Sequence, residues 1–137
     1  VIGTKQLMNK ARSSFISSTF WSDRIGPAAA LKTLEIMQKE RSWIRLKSLG
    51  MFFKRKFRSI LHKHNIKGDV IGNGSLLQFK ISKIDDVDLK KYLASEMLKK
   101  NILASNVIYL STAHSEKLLD KYFYQLDKIL FKLSKKI

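Results

Sequence analysis

The chain has three histidines and no cysteine, which narrows the chemistry its side chains can do. Without thiols there is no disulfide scaffold, no Cys-based zinc site and no thiol nucleophile. His62 and His64 stand two apart, so on a helix they point in different directions. With no carboxylate at helical spacing they form no metal site, and they read as solvated helix-end residues. His114, in Ser111-Thr112-Ala113-His114-Ser115, falls where a strand gives way to a helix and reads as a cap or packing residue before a general base. No Ser/His/Asp triad can be assembled. Gly72-Asn73-Gly74-Ser75 is rich in glycine but lacks both the Lys-Ser/Thr ending of a phosphate loop and the strand-loop-helix context of a dinucleotide fingerprint, so it reads as a turn. Ser17-Ser18-Thr19 says more. Small hydroxyl residues with accessible backbone N–H groups can hold a phosphate, and taken alone this is a weak anion site set against a buried structural turn.

Charge offers a second reading. The 137 residues carry 27 Lys+Arg against 11 Asp+Glu, a formal net charge of +16, which attracts any polyanion. Lys54-Arg55-Lys56, Arg58, His62-Lys63-His64 and Lys67 could together meet several phosphates. The basic residues are nonetheless spread from Lys5 to Lys136 and alternate with apolar ones at helical spacing, as solvated helix faces do. No helix-turn-helix, zinc finger, aromatic-sheet RNA motif or Gly-rich RNA clamp can be placed. A nucleic-acid or anionic-surface binding module is therefore the alternative reading, resting on charge alone.

The elements that must position these residues follow from periodicity. Val1-Ile2 reads as the end of a strand, Lys5 to Arg12 as a short helix with Leu7, Met8 and Ala11 on one side, and Ser13 to Thr19 as strand-like. Gly26-Pro27 opens a helix to about Lys39, with Pro in the first turn where its missing N–H breaks no helical bond and with a stripe of Ala28, Leu31, Leu34 and Met37 beside Ile36. A longer helix runs from about Ser42 to His64 with a broad face of Ile44, Leu46, Leu49, Phe52, Phe53, Phe57, Ile60 and Leu61, weakened only at Gly50. Asp69-Val70-Ile71 and Leu76 to Ile81 form a hairpin around Gly72-Asn73-Gly74. Asp85-Asp86 caps a helix from about Val87 to Lys100, a strand lies within Ile102 to Leu110, and Ser115-Glu116 starts a last helix ending near Lys135. This order predicts an α+β fold, helices packed on a small sheet. A hydrophobic content of 45% suffices for a core, and no apolar run approaches the roughly 20 residues of a membrane span. A soluble, cytoplasmic protein is expected. The first residue is not Met, so a piece of a longer protein is expected too.

Several of these segments together resemble one family. Val1-Ile2-Gly3 and FISSTFWSDRIGPAAALKTLEIM, Phe15 to Met37, are similar to the stretch after the active-site lysine of class III, fold type I, pyridoxal-phosphate-dependent aminotransferases, with the glutamate semialdehyde aminomutase branch nearest. There a Thr preceded by small residues leads into a helix of the form A-A-x-L-x-T-L, which Thr19, Ala28-Ala29, Leu31 and Thr33-Leu34 match. Gly72 to Phe79 resembles the family's strand pair, Tyr92, Leu93, Met97, Leu98, Ile102 and Leu103 the helix and strand that follow, and Ser111 to Ser115 its S-x-A-H-T/S signature.

The resemblance implies the C-terminal part of such an enzyme: residues 1–40 a remnant of the large α/β cofactor-binding domain, and 41–137 the small α+β domain. It implies pyridoxal phosphate as cofactor, a homodimer with active sites shared between subunits, and a small-molecule amino donor and carbonyl acceptor. Thr19, with the backbone at Ser18, would bind the cofactor phosphate of the neighbouring subunit. The Schiff-base lysine, the Asp on the pyridine nitrogen and the phosphate cup lie upstream in relatives, so no catalytic residue is expected in this chain, which should be inactive alone. Lys5 falls on the wrong side of Val1-Ile2-Gly3 to replace that lysine. Only six residues, Ser105 to Leu110, separate Ala104 from Ser111, where aminomutases tend to be longer, a lean toward transamination. Asn106 and Tyr109 read either as substrate-pocket or as strand-edge residues.

Overall fold

Val70, Leu77, Phe79 and Ile81 are buried while Asp69, Ile71, Leu76 and Lys80 are exposed, the period-two alternation of a sheet with one covered face. In a computed structural model, which describes residues 3–15, 19 and 22–136, that sheet has three antiparallel strands in the order β1 (Gly68–Asn73), β2 (Leu76–Ile81), β3 (Val107–Tyr109). Val70 stands opposite Phe79, and Leu77 opposite Ile108, so the buried rows of neighbouring strands coincide. The turn sits one residue beyond its expected place: Asn73 still pairs with Leu76, and Gly74-Ser75 form the loop. Gly74 adopts φ +43° and Gly72 φ +102°, conformations that glycine supplies without a Cβ penalty.

Five helices accompany the strands: α1 (Lys5–Arg12), α2 (Ile25–Glu40), α3 (Ser42–Lys63), α4 (Asp86–Leu98) and α5 (Glu116–Ser134). The chain divides into two compact units, residues 1–38 and 39–137. Within the second, α3 packs on α5 and β1, and α4 packs on α5 and β2. Phe53, Phe57, Phe79, Leu77, Leu89, Leu93, Met97, Leu126 and Leu130 are fully buried and form one core. Asp85 Oδ1 accepts the Val87 N–H at 2.8 Å and Ser115 Oγ accepts the Leu118 N–H at 3.2 Å, caps that satisfy otherwise unpartnered helix donors.

The apolar stripe of Leu31, Leu34, Ile36 and Met37 lies on α2, which has no buried residue, and Ile44 of α3 is also exposed. Two expectations are corrected. The described residues of Ser13 to Thr19 form turns and a bend, with no strand among them, while Val1-Ile2 and Ile16 to Ser18 lie outside the described residues. Gly50 is less a weak point of α3 than a close-approach site. A Cβ there would collide with the Gly74 carbonyl oxygen and lie 3.1 Å from its Cα.

Candidate functional site

Thr19 lies in a turn between α1 and α2 and is exposed, so its hydroxyl is accessible. Ser18 lies outside the described residues. Farther along, Asp23 Oδ1 accepts the Ile25 N–H at 2.9 Å, and the Arg24 carbonyl accepts the Ala28 N–H at 3.0 Å, which closes the first turn of α2. The Asp23 carboxylate thus occupies the start of that helix and disfavours a phosphate there. An exposed hydroxyl fits a phosphate as one donor among several, and Thr19 fits pyridoxal phosphate in that limited sense.

The second unit holds a cavity of about 810 Å³ lined by β3, the segment before it and α5, with Leu103, Tyr109, His114, Lys121, Tyr122 and Phe53 in its wall. Tyr109 is 73% exposed on β3 and lines this space. Asn106 is buried instead, and its backbone carbonyl accepts the Phe79 N–H at 3.0 Å, which makes it a strand-edge residue. The Tyr122 hydroxyl is buried with no hydrogen-bond partner, and burial pushes its pKa up. The sequence reading missed most of this wall, because it joins three stretches that are each amphipathic for ordinary packing reasons.

His114 closes the turn before α5, whose cap is Ser115. The Ser111 N–H donates to its Nδ1 at 3.0 Å, and its own N–H donates to the Ser111 carbonyl at 3.0 Å. Accepting on Nδ1 places the proton of the neutral ring on Nε2. Arg45 donates to the His114 carbonyl at 3.2 Å, which ties the turn to α3. Ser111 to Ser115 is thus a built α5 entrance.

His64 departs from the expected solvated state: its side chain is only 9% exposed, its Nε2 lies 2.8 Å from Asp127 Oδ1, and its ring lies 5.5 Å from that of Phe131. Burial raises the Asp127 carboxyl, but hydrogen bonds and charge from Lys63 and His64 outweigh it and hold the group below its ordinary value. A depressed carboxylate stabilises the fold above its unfolded pKa of about 4 and loses that contribution as pH falls through the lower folded value. Asp127→Asn is expected to cost about 1–2 kcal/mol at neutral pH and to flatten the acid limb of stability below about pH 4. Urea titrations of both proteins at several pH values check this.

The basic cluster on α3 is largely committed internally. Lys54 donates to the Gly72 carbonyl at 2.7 Å, Lys56 pairs with Asp120 at 3.0 Å, Arg58 with Asp69 at 2.9 Å and Lys63 with Asp127 at 2.7 Å. These contacts hold α3 to the hairpin and to α5, which weakens the case for that face as a polyanion surface. Among the described residues no group of three His, Asp or Glu side chains could hold a metal ion, and no helix is long and apolar enough to cross a membrane.

Helices on one face of a small antiparallel sheet, preceded by the α1–α2 segment, form a fold found in transaminases. The FumI protein of Sphingopyxis sp. MTA144, in its PLP internal aldimine form, superposes with a TM-score of 0.84 at 20% identity over 98% of this chain and 33% of its own. A transaminase with PLP bound superposes with a TM-score of 0.74 at 18% identity over 90% of this chain and 31% of its own. In sequence the chain is similar to 5-aminovalerate aminotransferase DavT of Pseudomonas aeruginosa, at 30% identity over 81 residues, 59% of this chain and 19% of that protein. It is also similar to alanine–glyoxylate aminotransferase 2 homolog 2, mitochondrial, of Arabidopsis thaliana, at 26% identity over 98 residues, 72% of this chain and 20% of that protein. No protein-family model matches. The chain thus spans about a fifth of the length of these curated relatives. Both the α+β fold and the likeness to aminotransferases expected from the sequence are borne out.

Proposed function

We propose that this chain is the C-terminal part of a class III, pyridoxal-phosphate-dependent aminotransferase that moves an amino group from a small-molecule donor to a carbonyl acceptor. The observation that carries this reading is the coincidence of a sequence likeness to aminotransferases with a fold match over nearly the whole chain. Residues 1–40 belong to the large cofactor-binding domain and 41–137 are the small domain. The protein is a cytoplasmic homodimer with active sites shared between subunits, and the lysine that bonds the cofactor lies upstream of Val1, so the chain alone is inactive.

Pyridoxal phosphate, when bound, supplies the electron sink that lets an amine lose and regain a proton. The work of this chain is binding and shaping. Thr19 would donate its hydroxyl to a phosphate oxygen of the neighbouring subunit's cofactor, the role that the family resemblance gives it together with the backbone at Ser18. Tyr109 and the apolar wall around it exclude water from the substrate, and the Ser111–His114 turn fixes the register between β3 and α5. Transamination is favoured over an internal amino shift because the short Ser105–Leu110 stretch is taken up by β3, which pairs with β2 and leaves no long loop.

The test is to express the reading frame that continues upstream of Val1. The longer protein is expected to purify with the cofactor's visible absorption and to transfer amino groups, whereas the 137-residue chain does neither. In the longer protein Thr19→Val should raise the cofactor dissociation constant about tenfold, as loss of one hydrogen bond to a charged group predicts. A colourless longer protein, or an upstream sequence that encodes no lysine-bearing domain, overturns the reading.

A further inference from the structure

Helix α5 sorts its charges by face. At 100° per residue, Lys117, Lys121, Tyr124, Lys128, Phe131, Lys132 and Lys135 fall within an arc of about 100° and run about 27 Å along the axis. All seven are exposed. The acids lie to one side: Asp120 and Asp127 meet Lys56, Lys63 and His64 of α3 and its C-cap. Among the described residues none of the five lysines has a carboxylate within ion-pair distance. Glu96 is bonded to Lys99, and the charge of Lys132 also helps hold its carboxyl low.

The two aromatic rings belong to the same stripe. Lys128 Nζ lies 4.0 Å from the centre of the Tyr124 ring and donates to its hydroxyl at 2.7 Å, and Lys135 Nζ lies 4.3 Å from the centre of the Phe131 ring. Each ring is exposed in part and carries a cation over one face, an ammonium group that can move aside for a stacking partner. Such a row of unpaired ammonium groups is costly to bury against another protein surface. The opposite face of α5, from Leu119 to Leu133, is committed to the core, so the helix has no apolar face left to lay into a bilayer.

We propose that the α5 stripe binds single-stranded nucleic acid, with the lysines on phosphates and Tyr124 and Phe131 stacking on bases. Unstacked bases offer the flat partner that both rings require, which a duplex does not. As a base takes a ring face, the ammonium group leaves it for a phosphate, so the same side chains serve both contacts. This surface is distinct from the α3 cluster, and at Lys121 and Tyr124 it borders the cavity beneath β3.

The experiment titrates the 137-residue chain into a fluorescent oligothymidylate, followed by anisotropy between about 50 and 200 mM salt. With five lysines on phosphates, the logarithm of affinity should fall with that of salt at a slope near −3.5, and replacing Lys121, Lys128 and Lys132 together with Gln should lessen it by about 2. The equally charge-reducing Lys5, Lys10 and Arg12→Gln set should leave the slope unchanged. Tyr124→Ala with Phe131→Ala should weaken binding at least tenfold at fixed salt. Far-UV circular dichroism verifies that each variant is folded. An equal loss from the α1 set, no loss from the aromatic pair, or no preference for the oligonucleotide over phosphatidylserine vesicles overturns the proposal.

Discussion

Gly50→Ala should lower the stability of the residue 39–137 unit by about 3 kcal/mol, although alanine is the better helix former by about 1 kcal/mol. The sign is decided by what lies over the residue. A Cβ at Gly50 meets the backbone of Gly74, with its oxygen, carbonyl carbon and Cα all in the way, the last two at 3.0 and 3.1 Å. A side chain could swing aside, but here the obstacle is the backbone of a two-residue turn held by the Asn73–Leu76 pair and by glycine φ values. Relief requires α3 to move off the hairpin, which would separate Phe57 from Phe79, whose rings lie 4.5 Å apart. Gly26→Ala is the control: nothing lies within 4 Å of its Cβ position, so the same substitution should be neutral or slightly stabilising. Urea unfolding followed by near-UV circular dichroism reads both. Equal effects would mean that helix propensity rather than packing governs Gly50.

That contrast shows which information the sequence held. The expected bounds of α1, α2, α3 and α5 fall within about two residues of those observed, because each has an amphipathic or capping signal of its own; Asp85 and Ser115 do cap α4 and α5 as their types suggest. The hairpin was legible from Gly-Asn-Gly between apolar runs, with its turn displaced by one residue. Periodicity reports that a face is apolar without reporting what covers it. Leu31 and Leu34 repeat as a core stripe does yet remain 70% and 60% exposed. Nor can it reveal that a helical glycine serves another segment 24 residues away, since that depends on where the hairpin lands.

The candidate site divides along the same line. Thr19 stood out only because its neighbours resemble a family, as its residue type alone made a weak anion site. His114 is legible as a structural residue, cap or packing, from its position between a strand and a helix. Its bond from the Ser111 N–H closes that turn, while Ser115 caps α5. His64 was misread, because its burial depends on Asp127, 63 residues later in sequence, arriving beside it on α5. The charge count raises polyanions as a question and points to α3, where local density is highest. Which cations remain unpaired is a tertiary property, and it moves the candidate surface to α5.

Phe53→Ala is expected to cost about 4 kcal/mol, the largest single loss in the second unit. Phe53 has no exposed surface, and its ring lies 4.8 Å from Phe123, 5.8 Å from Tyr122 and 6.4 Å from Phe57. It is thus the point at which α3 meets α5, and it also floors the cavity beneath β3. Removing the ring takes away its burial and its aromatic contacts and leaves a void that two buried helices can only partly close. Phe52 tests whether position or residue type matters. It is only partly buried and meets one ring, Phe123, at 6.4 Å, with Lys56 over its face at 5.4 Å. Phe52→Ala should therefore cost less than half as much, while Phe53→Leu, which keeps most of the volume, should cost about 1.5 kcal/mol. The midpoints of urea titrations rank the three variants. If Phe52→Ala proves as damaging as Phe53→Ala, the α3–α5 seam is not the centre of the core. The Ser111–His114 turn and Tyr109 would then owe their placement to the sheet alone, through the pairing of Leu76 with Tyr109 and of Leu77 with Ile108.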